Sequence, residues 1–256
     1  MFSHSGTHRT PNHNLKLATL LGLTAGLVNA EGFLGFSVLT TNITGHAALL
    51  AEGIAQQNWQ SAQIIILWML LFLAGAFTSG SCLSLLGAHQ RFSYSIPIVI
   101  EITILVLSAI YGYKYDGSTI SKVALPGSLL FAMGLQNALV SMVSGSVVRT
   151  THLTGTFTDL GIELAQLVKN NIKDRSAIRS KIKLKLFIIC SFMSGAIAGA
   201  VLFHRIGFTS FVFPVVILTF VLLYDIFRVN VKRYYQTTSK AFQRNKVKLV
   251  DYLPPT

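Results

Sequence analysis

Apolar residues dominate six stretches of this chain, Leu17 to Leu39, Ile64 to Leu86, Ile96 to Tyr113, Val123 to Val143, Leu186 to Phe203 and Ile206 to Phe227. Each approaches the ~20 helical residues needed to cross a hydrocarbon core of about 30 Å. None alternates with a period of two, which excludes a β-barrel, and helix is the conformation that satisfies its own backbone where water is absent. The pattern predicts an all-α integral membrane protein with six transmembrane helices. After the first and fourth stretches comes a shorter segment of mixed polarity. The first of these, Thr44 to Gln57, is 14 residues, about 21 Å of helix at ~1.5 Å per residue, too short to cross. A short helix, re-entrant or interfacial, is predicted at each place. Counting both as crossings gives an eight-span alternative, against which stand their length and the cost of burying glutamate, histidine and glutamine in lipid.

The two short segments carry nearly the same phrase. "TTNITGHAALLAEGIAQ" begins at Thr40 and "TTHLTGTFTDLGIELAQ" at Thr150. Upstream, "GLVNA" from Gly26 is answered by "GLQNA" from Gly134, and downstream "FLAGA" from Phe72 by "FMSGA" from Phe192. Each half therefore reads as a spanning helix, a threonine-glycine break, a short helix and two further spanning helices. Three crossings is an odd number, so the second half enters the membrane in the opposite sense. The expected architecture is two inverted three-helix repeats, 17–120 and 121–228, flanked by a disordered cytoplasmic N-terminus, 1–16, and a basic cytoplasmic tail, 229–256. In transporters built this way, interrupted segments at matching positions mark the binding site.

The chemistry of the phrase suits that role. Thr44 and Thr154 are predicted as helix N-caps, with Gly45 and Gly155 permitting close approach or unusual torsions. An exposed helix N-terminus offers unpaired N–H groups and a partial positive charge to an anion or a carbonyl oxygen. Around it are the hydroxyls of Thr40, Thr41, Thr150 and Thr151 and the polar groups of Asn29, Asn42, His46, Gln136, Asn137 and His152. These fourteen residues form the expected solute site. The alternative is structural: such side chains also bond across membrane helices for about 0.6 kcal/mol each.

Taken together, "GLVNAEGFL" with the first phrase and "AMGLQNALV" with "VRTTHLTGTFTDLGIELA" resemble the YoaK family of bacterial inner-membrane proteins, a domain of unknown function. The resemblance runs from about Lys16 to Arg228 and implies a multi-pass helical protein of the inner membrane with no assigned substrate. Where the family pattern reads Thr-Gly-Asn, this chain has Thr44-Gly45-His46, which introduces a titratable imidazole.

Charge adds orientation. The formal net charge is +12, yet only 12% of the 256 residues are charged and 52% are hydrophobic, with a mean hydropathy of +0.57. On the six-span reading 18 of the 21 Lys and Arg residues fall on one side, which predicts that both termini are cytoplasmic. The eight-span reading divides the charges equally well, so charge does not separate the two. The run from Lys169 to Lys185 is expected to attract anionic headgroups. No basic soluble module suggests nucleic acid.

Ionisable residues inside apolar stretches are functional candidates by default. Glu31, Glu101, Asp159 and Glu163 are the carboxyls expected to couple proton movement. For Glu101 the alternative is a first-turn position behind Pro97 as the first helical residue. For Asp159 and Glu163, spaced to share a helix face, it is the cytoplasmic surface. Gly22 with Gly26 and Gly195 with Gly199 give spacings for close helix packing, within the chain or in a homodimer. Cys82 and Cys190 lie in apolar stretches, and His4, His8 and His13 match no ligand spacing, so neither a disulfide, a metal site nor a cofactor is expected. The motifs that organise enzyme nucleophiles, metalloproteases and nucleotide sites are absent. The function expected is a small secondary transporter of a small polar or anionic solute, coupled to protons. The rival is a non-transporting membrane scaffold or accessory subunit.

Overall fold

The computed structural model describes residues 11–86, 91–168 and 174–224. Residues 1–10, the tail 229–256 and positions 169–173 of the basic run lie outside the described residues. Seven helices are bounded at both ends: α1 (Pro11–Phe36), α2 (Ile43–Ala55), α3 (Trp59–Leu86), α4 (Arg91–Tyr111), α5 (Thr119–Ser144), α6 (Leu153–Val168) and α7 (Arg175–Ile206). A helix over 212–224, here α8, follows a 3-10 turn at Gly207–Phe211. No strand occurs among the described residues.

Among the described residues, five helical stretches are long and apolar enough to cross a membrane: Ala18–Phe36, Trp59–Leu86, Ser93–Lys114, Thr119–Ser144 and Arg175–Tyr224. They mark a multi-pass membrane protein. The sequence pattern predicted six, and the difference lies at the end of the chain, where the last two apolar runs form one 50-residue stretch. A straight helix of that length would extend about 75 Å, more than twice the hydrocarbon core. Gly207, at φ +58°, and the 3-10 turn divide it into α7 and α8. The α7 helix also begins well before Leu186, because Lys and Arg are good helix formers and its basic first turns continue the apolar part.

Helices α1 and α5 occupy the centre, with Leu21, Val28, Leu129, Met133 and Leu139 fully buried. They run antiparallel: the Gln136 amide donates to the Leu21 carbonyl at 2.9 Å, whereas Gly32, further along α1, faces Leu129, earlier in α5. Each is paired with an outer helix from the other half of the chain. A Cβ on Gly26 of α1 would collide with the Phe192 carbonyl of α7, and one on Gly195 with the Leu23 carbonyl. On the other side, a Cβ on Gly134 of α5 would collide with the Phe72 carbonyl of α3, and one on Gly75 with the Phe131 carbonyl. The two sets match through the sequence repeat, since "GLVNA" and "GLQNA" contribute the first glycine of each set and "FLAGA" and "FMSGA" the second. The absent side chains let the helix backbones meet directly, the packing that drives helix association in lipid. Gly26 and Gly195 thus serve contacts inside the chain.

Both central helices also end alike. The chain leaves α1 through Ser37 at φ +58° and α5 through Gly145 at φ +63°, left-handed positions that stop a helix. For a serine that conformation costs on the order of 1 kcal/mol. The entry to α5 is fixed by Ser118 as N-cap, accepting from the Ser121 N–H at 3.3 Å. Beside it Asp116, outside the apolar stretches, accepts from the Ser121 hydroxyl and the Ser118 N–H, which hold its carboxyl down to about 2.

Candidate functional site

After each central helix the chain turns back. Helix α2 descends against the first half of α3 in the opposite direction: Gly53 lies near Ala62, and the His46 ring packs on Trp68 with centroids 5.7 Å apart. Its N-terminal end therefore sits level with Trp68 and Met69, halfway along α3. Helix α6 treats α7 in the same way. Leu160 packs with Ile182 and Ile189, and Glu163 accepts from Lys185, so the N-terminus of α6 also lies near the middle of its partner.

The helix starts fall two residues earlier than the threonine spacing predicted. Helix α2 starts at Ile43, and the Asn42 side-chain carbonyl accepts from the Gly45 N–H at 2.9 Å, the ordinary bond from an N-cap to the third helical residue. Thr44 is thus the second helical residue. In the second break α6 starts at Leu153, which puts His152 at the equivalent position and Thr154 inside the helix. The reason for Thr-Gly follows. A Cβ on Gly45 would come within 2.7 Å of the Asn42 amide nitrogen, and one on Gly155 would collide with the His152 ring. Each glycine gives room for the side chain three residues before it to fold over the helix end, which in α2 is the capping Asn42. Neither has positive φ.

Both breaks open onto one cavity of about 660 Å³. Thr41, Asn42 and Thr44 line it from the first break, and Thr151, His152 and Thr154 from the second. Asn137 and Ser141 contribute from α5, while the middle of α3, from Met69 to Ala76, supplies an apolar wall. Arg149 completes the lining. It stands between the fully buried Val148 and Thr150, and the Val148 N–H donates to the Ser144 hydroxyl at 2.9 Å, which anchors the segment where it re-enters the protein. No ion pair holds Arg149 among the described residues.

Seven of the fourteen expected site residues therefore meet, and seven do not line the cavity. Asn29 stands behind Thr41, accepting from its N–H at 3.2 Å and from its hydroxyl at 2.9 Å. Gly45 and Gly155 lie under the side chains of Asn42 and His152. Thr40 and Thr150 are fully buried with hydroxyls that have no hydrogen-bond partner. Gln136 holds α5 to α1. His46 is buried, one ring nitrogen 3.0 Å from the Leu39 carbonyl, so the imidazole packs α2 on α3 and does not face the cavity.

The carboxyls separate into two kinds. Asp159 and Glu163 both engage Lys185 of α7, Asp159 at 3.6 Å, and clamp α6 in place without reaching the cavity. Glu31 and Glu101 are buried and make no hydrogen bond from either oxygen. The Ser210 hydroxyl, in the turn before α8, approaches the Glu31 carboxyl without a bond of good geometry. Glu101 is ten residues from either end of α4, on the stripe that buries Ile98, Leu105 and Ser108. Pro97 lies inside α4, so the first-turn reading of Glu101 does not hold. No group of three or more metal-ligating side chains occurs among the described residues.

Ser141, Arg149 and the α3 wall were absent from the sequence reading. The available signal was the residue before each phrase, since "RTTHLTG" has Arg149 where "LTTNITG" has Leu39. A family model described as "Protein of unknown function (DUF1275)" matches residues 17–224, in keeping with a YoaK-like family. No curated protein and no solved structure matches the chain.

Proposed function

The chain belongs to the DUF1275 family, whose function is unknown, and from the geometry of its cavity we propose that it is a small secondary transporter of a polar or anionic solute in the bacterial inner membrane. The observation that carries this reading is the convergence of two repeated breaks, each opening a short helix, on one cavity at the middle of α3. Scaffold helices gain nothing by bringing two polar N-termini together around empty space, whereas a transporter needs a site reachable from either side. In this proposal α7 and α8 cross separately, giving six crossings in two inverted repeats. Support comes from the antiparallel run of α1 and α5 and from the matched glycine contacts that exchange outer helices between halves. Rocking of α1 with α7 against α3 with α5 then opens the cavity alternately to each side. Glu101, unpaired at mid-helix, is the proton-coupling group, and Glu31 beside Ser210 is the second candidate.

Reconstituted liposomes challenged with a panel of small solutes under an imposed proton gradient test the proposal. Uptake of at least one solute is expected, accompanied by proton flux that Glu101→Gln removes. Absence of flux for every solute, with correctly inserted protein, favours the scaffold. Orientation is checked independently in a variant lacking Cys82 and Cys190. A cysteine at position 58 should react with an impermeant reagent added from outside, and reaction only after lysis refutes six crossings.

A further inference from the structure

We infer that the solute held in this cavity is specifically a small anion, and that Arg149 is the residue that selects it. The inference rests on the transport reading for the word solute, but its chemistry stands on the cavity alone. Among the described residues, the charged side chain lining the cavity is a cation and no carboxylate lines it. Arg149 has no anionic partner among the described residues. A guanidinium keeps its charge at any physiological pH and presents a fork of donors suited to carboxylate or oxyanion geometry. Its position is set by structure, because Val148 and Thr150 on either side are fully buried and Val148 is tied to Ser144.

The remaining polar lining agrees in sign. Ile43 and Thr44 of α2, and Leu153 and Thr154 of α6, all border the cavity. They are the first two residues of their helices, whose N–H groups have no intrahelical acceptor. The caps do not consume these donors in α2, since Asn42 accepts from Gly45. Two helix N-termini aimed at one space add their partial positive charges. The same space is lined by Thr44, Ser141, Thr151 and Thr154, whose hydroxyls can donate, and by Asn137, whose amide nitrogen can. Across from these donors the α3 wall is apolar, which fits a compact anion with a small organic body.

The test is binding, so that it stays separate from flux. Full-length protein in phosphatidylcholine nanodiscs is titrated with formate, phosphate and succinate in potassium gluconate at constant ionic strength, with formamide and succinamide as neutral controls. Tryptophan fluorescence serves as the readout, because Trp68 adjoins Met69 of the cavity wall and the chain holds only 2 tryptophans. At least one anion should bind saturably while the neutral amides do not. Arg149→Gln should weaken that binding at least tenfold, Arg149→Lys should fall between, and the ligand-free melting temperature should stay unchanged because the side chain is exposed. Failure of all three anions to saturate, equal binding of an amide, or undiminished affinity in Arg149→Gln overturns the inference. Loss of free-anion binding in phosphatidylglycerol nanodiscs assigns the site to a lipid headgroup and overturns it as well. Anion binding without flux leaves this inference standing and removes transport. Flux of a neutral solute without anion binding does the reverse.

Discussion

The two breaks share a phrase and a burial pattern, Thr40 to Leu49 and Thr150 to Asp159 passing through buried, half-buried and exposed positions in the same order, yet their surroundings hold them differently. In the first, Asn29 accepts from both the N–H and the hydroxyl of Thr41. In the second, the counterpart Asn137 makes neither bond to Thr151, and its carbonyl oxygen is left without a partner. The short helices are docked by different means. Helix α2 rests on α3 through the His46 ring and Trp68, whereas α6 is clamped to α7 by Lys185 between Asp159 and Glu163. The lesson is that a repeated sequence produces a repeated backbone, while one latch closed and its twin open leaves the two halves unequal. Under the transport proposal, exchange of the closed latch from one break to the other accompanies the rocking.

The largest effect should come from the contacts that make the halves equivalent. Gly26→Val and Gly134→Val each drive a side chain into a backbone carbonyl that cannot turn away, and such overpacking costs about 1–3 kcal/mol or more. Both variants should lose folded, monodisperse protein to a similar degree in size-exclusion profiles. A large loss from one and none from the other would break the equivalence of the two helix pairs.

Next in size is the clamp present in one half alone. Lys185→Met leaves Glu163 buried beside an apolar chain, and stripping one partner from a buried pair costs about 3 kcal/mol. Helix α6 should then lose protection in hydrogen exchange while α2 keeps its own. Equal loosening of both short helices would mean that the two breaks are mechanically joined.

The latch itself predicts a smaller number. A double-mutant cycle on thermal stability with Asn29→Ala and Thr41→Ala should give a coupling of about 1 kcal/mol, the worth of a buried hydrogen bond. The same cycle at Asn137 and Thr151 should give nearly none. Equal couplings would say that both latches are closed in solution.

The smallest effect concerns the positions once expected as caps. Thr44→Ala and Thr154→Ala remove cavity hydroxyls from second helical residues, so each should leave the melting temperature within the scatter of surface substitutions. Asn42→Ala, which removes the real cap of α2, should cost about 1 kcal/mol. If the two threonines share one ligand, their effects on its affinity should be non-additive by roughly 0.5 kcal/mol or more. Strict additivity would put the two breaks around separate spaces.

Much of this molecule was legible in the chain because bilayer chemistry is unforgiving. Apolar length decides which segments become long helices, and the pairing of "GLVNA" with "GLQNA" exposed the repeat before any contact was known. Seven of the residues that line the cavity, Thr41, Asn42, Thr44, Asn137, Thr151, His152 and Thr154, were identifiable from the phrase and the repeat upstream of it, since polar groups in an apolar chain need a reason to be there. His46 was misleading for a local reason: a histidine beside a polar motif looks functional in sequence, but its place on the inner face of α2 turns it toward Trp68 and the Leu39 carbonyl. The caps were misplaced by two residues because Asn and Thr both favour that position, and only backbone direction says which one stands at the helix end.

By itself, then, the sequence determined the helical class, the apolar lengths, the repeat and the polar vocabulary of the breaks, all of which depend on local composition and spacing. Tertiary structure alone decided that α1 pairs with α7 and α5 with α3, that one Asn–Thr latch is closed and the other open, and that Arg149 lines the cavity. The helix pairings depend on which backbones approach closely enough to meet across dozens of residues of chain, which no short window contains, and the latches, though their partners lie close in sequence, depend on how each break packs against its central helix.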